Sequence, residues 1–530
     1  MLAWTIYSSF LGVLALMLLP KGNAAAARAV ALLSAVAGLL VALAGFIQFA
    51  PGKTVAVARA PWIPSLGIHY HLAADGISVT LVLLTGLAAV AGILFSWNIE
   101  HRAKEFFAFY LALIGGVYGV FLSFDLFLLF VFYEIAIIPK YFLIAIWGST
   151  RREYGAMKLA LYSFAGSAMV LVGLIAAYVV AGAGTFDVVD LARFPFPPSF
   201  QMWAFPLVFV GFGILAGLWP FHTWAPTGHV AAPTGASMLL AGVVMKLGAY
   251  GCLRVAMTLF PRGLDPWGFQ VLGFGSWQDV LAALAVIGIV YGAMVALVQK
   301  DFKFVIGYSS VSHMGFVLLG LMTLNRIGLS GAVLQMFSHG IVAGLLFAVV
   351  GRMVYDRTHT RDLTALGAMG LSKAIPFAAV TFILAGAASM GVPGFSGFVA
   401  ELQVLIGAWQ AFPTKVVLAG VGVLVGVAYT WRAMQKAFFD DAGEKTNEQA
   451  REDARPTESG DLRRHAPEGS ATAPSRPQRF EPISAPERIG AAILIGASLL
   501  IGLYPHVLLR VIVPSFESPL FQWLRSGGAQ

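Results

Sequence analysis

The stretch LFLLFVFYEIAIIPKYFLIAIW, running from Leu126 to Trp147, decides the fold. Its residues are apolar or aromatic except Glu134, Pro139 and Lys140. At about 1.5 Å per residue it is long enough to cross roughly 30 Å of hydrocarbon as a single helix. A carboxylate in such a setting is costly enough to be a functional candidate by default. The pattern recurs along the chain, where Lys246, His313, His339 and Glu401 each fall near the middle of a long apolar run. Ionisable groups passed from helix to helix are what a proton path through a membrane requires.

Composition supports the same environment. Of 530 residues, 58% are hydrophobic and 11% charged, with a mean hydropathy of +0.81. A soluble domain has no means of hiding so much apolar surface, so the fold class is an all-α polytopic membrane protein. The net charge of +8 sits in short loops between apolar runs, which reads as topology and not as nucleic-acid binding. The single cysteine, Cys252, excludes disulfides, thiolate-held iron–sulfur clusters and zinc–thiolate sites within the chain. The run Leu2 to Leu19 lacks a charged leader region and is followed at once by a second apolar run, so it reads as a retained helix.

Apolar stretches of sufficient length number about fourteen. The fifth covers 125–147, the seventh 202–221, the eighth 232–259, the twelfth 374–409 with a break, and the last 488–510. Lys21, Arg28, Arg102, Lys104, Arg151, Arg152, Lys300, Lys303, Arg352, Arg357, Arg361 and Lys373 fall on one face if the helices alternate. Basic loops stay cytoplasmic, so both termini are expected on the outer side of a bacterial inner membrane. Two interruptions stand out, WPFHTWAP at 219–226 and GVPG at 391–394. Proline removes a backbone donor, and each break frees polar backbone inside the membrane. The breaks are five helices apart, from the seventh to the twelfth, and an odd offset inverts the second unit. The expected organisation is an N-terminal three-helix segment at 1–104, a five-helix repeat at 105–259, its inverted copy at 279–437, a polar cytoplasmic loop at 438–487 and a C-terminal helix and tail at 488–530.

Glu134 lies about nine residues from the outer end of its helix, or roughly 13 Å deep. Lys140 is six residues on, about 120° around the helix, so the two are not an i, i+4 pair. Its ammonium either snorkels to the nearby cytoplasmic face or serves the carboxylate, with equal weight on these residues. Lys246 has about thirteen helical residues on either side, beyond the reach of snorkelling, and a proton-shuttling role is favoured over a static ion pair. His313 and His339 titrate near neutrality and suit a relay, with haem ligation as the structural competitor. Glu401, just past the second break, is a terminal proton site or a cap for the donors freed there. No phosphate-binding glycine loop, no GxGxxG between strand and helix, no HExxH and no cysteine cluster is present, so the driving force is expected from a gradient or from partner subunits.

Several separated motifs together resemble a known family. WPFHTWAP at 219–226 followed by His229 and Ala232-Pro233-Thr234, GYSSVSHMG at 307–315, His359-Thr360-Arg361-Asp362, and GVPG at 391–394 leading to Glu401 resemble the antiporter-like membrane subunits of proton-translocating NADH:quinone oxidoreductase. HLAADGIS at 71–78 and His359 to Asp362 look most like the subunit M branch. The resemblance implies fourteen helices with two inverted five-helix repeats, broken in the seventh and twelfth, and a proton channel driven by redox chemistry elsewhere. It implies roles for Glu134, Lys246, His313, His339 and Glu401 in proton transfer, with NADH, FMN, iron–sulfur clusters and quinone in partner subunits, antiporter-like neighbours on both sides, and no cofactor or metal in this chain. The chain departs from the pattern at Leu215, where the family usually has a lysine that pairs with the fifth-helix glutamate, and at Ala225 and Thr227. Lys140 is the expected substitute for that lysine. A subunit of a multisubunit Na+/H+ antiporter or membrane-bound hydrogenase is the alternative, and a haem or quinone anchor the third.

Overall fold

In this computed structural model, residues 1–20, 22–268, 270, 273–440, 480–522 and 524 are described. Lys21 and most of the polar loop expected over 438–487 lie outside them. Among the described residues, twelve helices are long and apolar enough to cross a membrane. Shorter apolar helices accompany them at Trp4–Leu18, Pro376–Ser389 and His506–Ser515. With no water in hydrocarbon to serve backbone groups, a chain of this composition satisfies them within helices.

The differences from the sequence reading have local causes. The seventh stretch is helical over Pro198–Ala216 and stops at Gly217, whose φ of +84° ends the turn. Helix resumes at Trp224–Ala231. The twelfth stretch is helical over Pro376–Ser389 and Ser396–Ala411, with Gly391 and Gly394 at positive φ between them. The last helix was expected to run on to 510; it ends at Leu503, and a second begins at His506 beyond Pro505. The segment before the third helix forms an antiparallel hairpin, Val55–Ile63 against Ile68–Ala74, which a search for long apolar stretches passes over. At the turn, Gly67 adopts φ +65°, and a Cβ there would lie 1.7 Å from the Gly184 carbonyl oxygen.

Aspartates punctuate the helix starts. Asp125 caps the Leu126–Trp147 helix through the N–H groups of Phe127 and Leu128, each at 3.0 Å. Asp301 caps the Phe302–Met322 helix through Lys303 N–H at 2.8 Å and Phe304 N–H at 3.2 Å. Each also forms an isolated bridge to a second capping aspartate, Asp125 with Asp187 and Asp301 with Asp362. The same two backbone hydrogen bonds flank both bridges: Leu126 N–H to Phe186 O and Val188 N–H to Phe124 O, then Phe302 N–H to Arg361 O and Leu363 N–H to Lys300 O.

The helices carrying Lys246 and His339, Thr234–Leu259 and Arg326–Thr358, are buried along their whole apolar windows, whereas Arg152–Ala181 and Pro413–Phe439 leave much of theirs outside. A helix that is apolar all round and buried all round marks the centre of the bundle. Two buried charges elsewhere, Arg254 and Glu487, are paired. Arg254 forms an ion pair with Asp75, the cap of the Gly76–Phe95 helix, and donates through Nε to Tyr250 Oη at 3.2 Å. Glu487 is held by Arg352 and, at 2.8 Å, by Arg357, fastening the Ala485–Leu503 helix to the end of the His339 helix.

Two outcomes test this scaffold. Arg254→Met strands Asp75 as a buried, uncompensated charge, with an expected loss of about 3–5 kcal/mol seen as a lower unfolding temperature in detergent. At the hairpin, burial works against the Asp187 carboxylate, but the hydrogen bond and charge of His71 and the N–H groups of Val189 and Asp190 outweigh it, holding its pKa below the ordinary value. The stability from this contact is full above the ordinary carboxylate range, near pH 4, and is lost as pH falls through the depressed value. Hydrogen-exchange protection of residues 68–74 should therefore collapse only on strong acidification, and already at neutral pH in Asp187→Asn.

Candidate proton-transfer site

Four of the six candidate residues meet in one continuous row. Lys246 is fully buried, and its helix carries a π turn over Leu240–Val244 immediately before it. Such a turn displaces the backbone ladder by one residue. The Lys246 ammonium donates to the carbonyl of Ala241 in its own helix. It also lies 2.9 Å from His339 Nδ1 on the neighbouring helix. An ammonium only donates, so the neutral imidazole keeps its proton on Nε2, and that nitrogen has no hydrogen-bond partner among the described residues. The His339 and His313 rings stack with centroids 5.4 Å apart and planes 27° from parallel. His313 Nδ1 lies 2.9 Å from Glu401 Oε1, and its Nε2 lies 3.2 Å from Ser389 Oγ.

Backbone contacts set these separations. A Cβ on Gly340, next to His339, would lie 2.6 Å from the carbonyl oxygen of Gly242. The two helices therefore meet backbone to backbone just beside the Lys246–His339 contact, the close approach that small residues permit between membrane helices. At the second break, Gly391 holds φ +70°, and a Cβ there would sit 3.3 Å from Glu401 Oε2. Gln335 Nε2 donates to Glu401 Oε1 at 3.2 Å. Ser338, Ser396 and Ser498 join three helices through contacts of 2.8 and 3.1 Å.

Glu134 and Lys140 stand apart from this row. Lys140 is 1% exposed, so its ammonium does not snorkel to the membrane face. Its helix runs unbroken from Leu126 to Trp147 with Pro139 inside it, and Lys140 lies on a buried part of that helix. Neither Lys140 Nζ nor Glu134 Oε1 has a hydrogen-bond partner among the described residues, and the two do not form a direct ion pair. Each charge is within electrostatic reach of the other. Leu215 is buried at 1%.

Some participants escaped the sequence reading. Gln335 and Ser389 carry no charge, and nothing in their spacing pointed to Glu401 or His313. Tyr429 donates to Ser309 Oγ at 2.8 Å, while Ser310 and Ser312 spend their hydroxyls on the carbonyls of Ile306 and Ile289. The serines flanking His313 in sequence thus spend their hydroxyls on other partners than its ring. The haem alternative needs two imidazoles opposed across a slot. Here the rings stack, with their nitrogens directed to Lys246, Glu401 and Ser389. Among the described residues no group of three or more His, Cys, Asp or Glu side chains is arranged to hold a metal ion.

The family model described as NADH:quinone oxidoreductase/Mrp antiporter, TM, matches residues 123–426. The chain is 36% identical to NADH-quinone oxidoreductase subunit M of Rhodobacter capsulatus over 505 residues, covering 92% of this chain and 89% of that protein. It is also 36% identical to subunit M of Pseudomonas aeruginosa over 458 residues, covering 83% and 87%. Among solved structures, a chain of respiratory complex I from Thermus thermophilus superposes with a TM-score of 0.83 at 27% identity, covering both chains completely. A chain of the Mrp complex from Dietzia sp. shares the fold, with a TM-score of 0.78 at 20% identity over 99% of each.

Gly340→Ala should force the Lys246 and His339 helices apart. Overpacking of this kind costs about 1–3 kcal/mol. The expected outcome is a lower unfolding temperature in detergent together with a Lys246–His339 separation beyond hydrogen-bond range in a structure of the variant.

Proposed function

We infer that this chain, which belongs to the family of NADH:quinone oxidoreductase and Mrp antiporter membrane subunits, works as a proton-translocating subunit of an NADH:quinone oxidoreductase. The observation that carries this reading is the row Lys246, His339, His313, Glu401 across the centre of a membrane-spanning bundle, two hydrogen-bond contacts joined by a stack of the two imidazoles. Keeping a lysine, two histidines and a glutamate at that depth has no structural economy unless protons use them.

In this reading Lys246 passes a proton to His339 Nδ1, and the imidazolium so formed releases one from Nε2 toward His313 and then Glu401. Lysine and histidine are both suited to this, because each side chain can take up and release a proton at a nitrogen. Gln335 steadies the carboxylate, and Gly391 leaves room beside it. The chain is a multi-pass membrane protein. We place its basic loops on the cytoplasmic side of a bacterial inner membrane and both termini outside, a reading supported by the clustering of arginines and lysines in loops of one face. The matching aspartate bridges at Asp125–Asp187 and Asp301–Asp362 support two inverted repeats over 105–259 and 279–437. NADH, flavin, iron–sulfur and quinone chemistry is assigned to partner subunits, with membrane subunits of related fold as neighbours.

Glu134 and Lys140 complete the proposal as a second, separate charge pair. Lys140, buried and without a hydrogen-bond partner, takes the place of the lysine that Leu215 replaces, acting on Glu134 through its field and not through contact.

In the assembled complex in membrane vesicles, Lys246→Met or His339→Ala should lower NADH-driven proton translocation by about tenfold or more, the smaller end of what a positioned acid–base group contributes. Normal translocation in both variants overturns the reading. Lys140→Met should reduce translocation, and Lys140→Met combined with Leu215→Lys should restore it. A double variant no better than the single one removes the substitution argument.

A further inference from the structure

Lys303 is a buried charge that the row leaves unused. It lies one residue into the His313 helix, 2% exposed, against a cavity of about 350 Å³. The cavity lies among the basic loops and is walled by Ser96, Asn98, Trp147, Thr234, Tyr355 and His359. Lys303 Nζ donates to the carbonyl of Ala232 at 3.0 Å. That carbonyl belongs to the link between the Trp224–Ala231 helix and the Lys246 helix, just before Pro233. Ser237 Oγ reaches the same carbonyl at 3.2 Å and the carbonyl of His229 at 2.8 Å.

His229 lies on the far side of this link. Its side chain is fully buried against Phe347, ring centroids 5.0 Å apart, and neither ring nitrogen has a hydrogen-bond partner among the described residues. Both Lys303 and Lys246 lie within electrostatic reach of it. A buried imidazole with two open nitrogens is expensive as a purely structural group and calls for a reason. Its place three residues before the Ala232 carbonyl that Lys303 holds, and within the field of both buried lysines, supplies one.

We propose that Lys303 takes protons from this cavity and passes them by way of His229 to Lys246, so that the central row is loaded from the basic face without a lysine at position 215. The proposal rests on the reading that Lys246 carries protons. It assigns Lys303 and His229 as proton carriers and the cavity as the uptake vestibule. The route runs through the gap between the two parts of the broken seventh segment and the start of the eighth, where proline has already removed a backbone donor.

The competing role for Lys303 is a fixed cation balancing Asp301 and Asp356 beside Arg361. Lys303→Arg separates the two, because arginine keeps the charge and the donor but does not release a proton. In vesicles containing the assembled complex, Lys303→Arg and His229→Phe should each lower NADH-driven proton translocation several-fold, with the amount of assembled complex unchanged on a native gel. Translocation at the parental level in Lys303→Arg overturns the proposal. Lys246→Met measured alongside distinguishes the two failures: if it is inactive while Lys303→Arg is active, only the uptake route falls, and if both are active the row falls with it. A second measurement is independent of Lys303. The chain's one cysteine, Cys252, is buried, so Asn98→Cys at the mouth of the cavity can be modified by a bulky, membrane-impermeant thiol reagent applied to the basic face. Modification should slow translocation several-fold relative to the same variant untreated, and no change overturns the vestibule.

Discussion

The structure depends on how Lys246 is kept in the middle of an apolar bundle. Its ammonium is served by the Ala241 carbonyl of its own helix and by His339 of the next. Neither service is available to a regular isolated helix, whose carbonyls are committed to its own ladder. The π turn before Lys246 and the close approach of Gly242 and Gly340 are therefore conditions for tolerating the charge, and the complete burial of both helices follows from them. The surrounding helices enclose this pair, and the more lipid-exposed ones carry few charges in their apolar windows.

The two halves of the molecule use similar architecture for different electrostatic ends. From Lys246 into the second half, side chains from several helices succeed one another, with hydrogen-bond contacts at Lys246–His339 and His313–Glu401 and a ring stack between the two histidines. In the first half, Glu134 and Lys140 share one helix but form no ion pair, and Leu215 is a buried hydrocarbon side chain. Coulombic interaction at a distance is strong in a low-dielectric interior. It shifts the energy of a charge without giving it a path, and that difference separates a sensor from a conduit.

Much of this was legible in the chain because membrane burial makes charges conspicuous. Glu134, Lys246, His313, His339 and Glu401 announce themselves against apolar neighbours, and the proline–glycine clusters at 219–226 and 391–394 mark where helices stop. What sequence did not give was partnership. Lys140 looked able to reach the surface by length alone, and only the tertiary packing that leaves it 1% exposed shows that it does not. Lys303 read as one more basic loop residue, because one position separates a topology signal from a helix interior. Gln335 and Ser389 are invisible to a search for ionisable groups, although they hold the carboxylate and the imidazole in register. The hairpin at residues 55–74 is held by contacts to residues more than a hundred positions away, which local patterning does not encode.

The glycine contact at 242 and 340 also sets the tolerance of the Lys246–His339 contact. With main chain against main chain there, no side chain fits between the two helices, and the 2.9 Å separation beside it is held by backbone and not by a compressible side chain. A hydrogen bond is essentially lost beyond about 3.5 Å, so a spreading of the helices by little more than about half an ångström parts lysine from histidine.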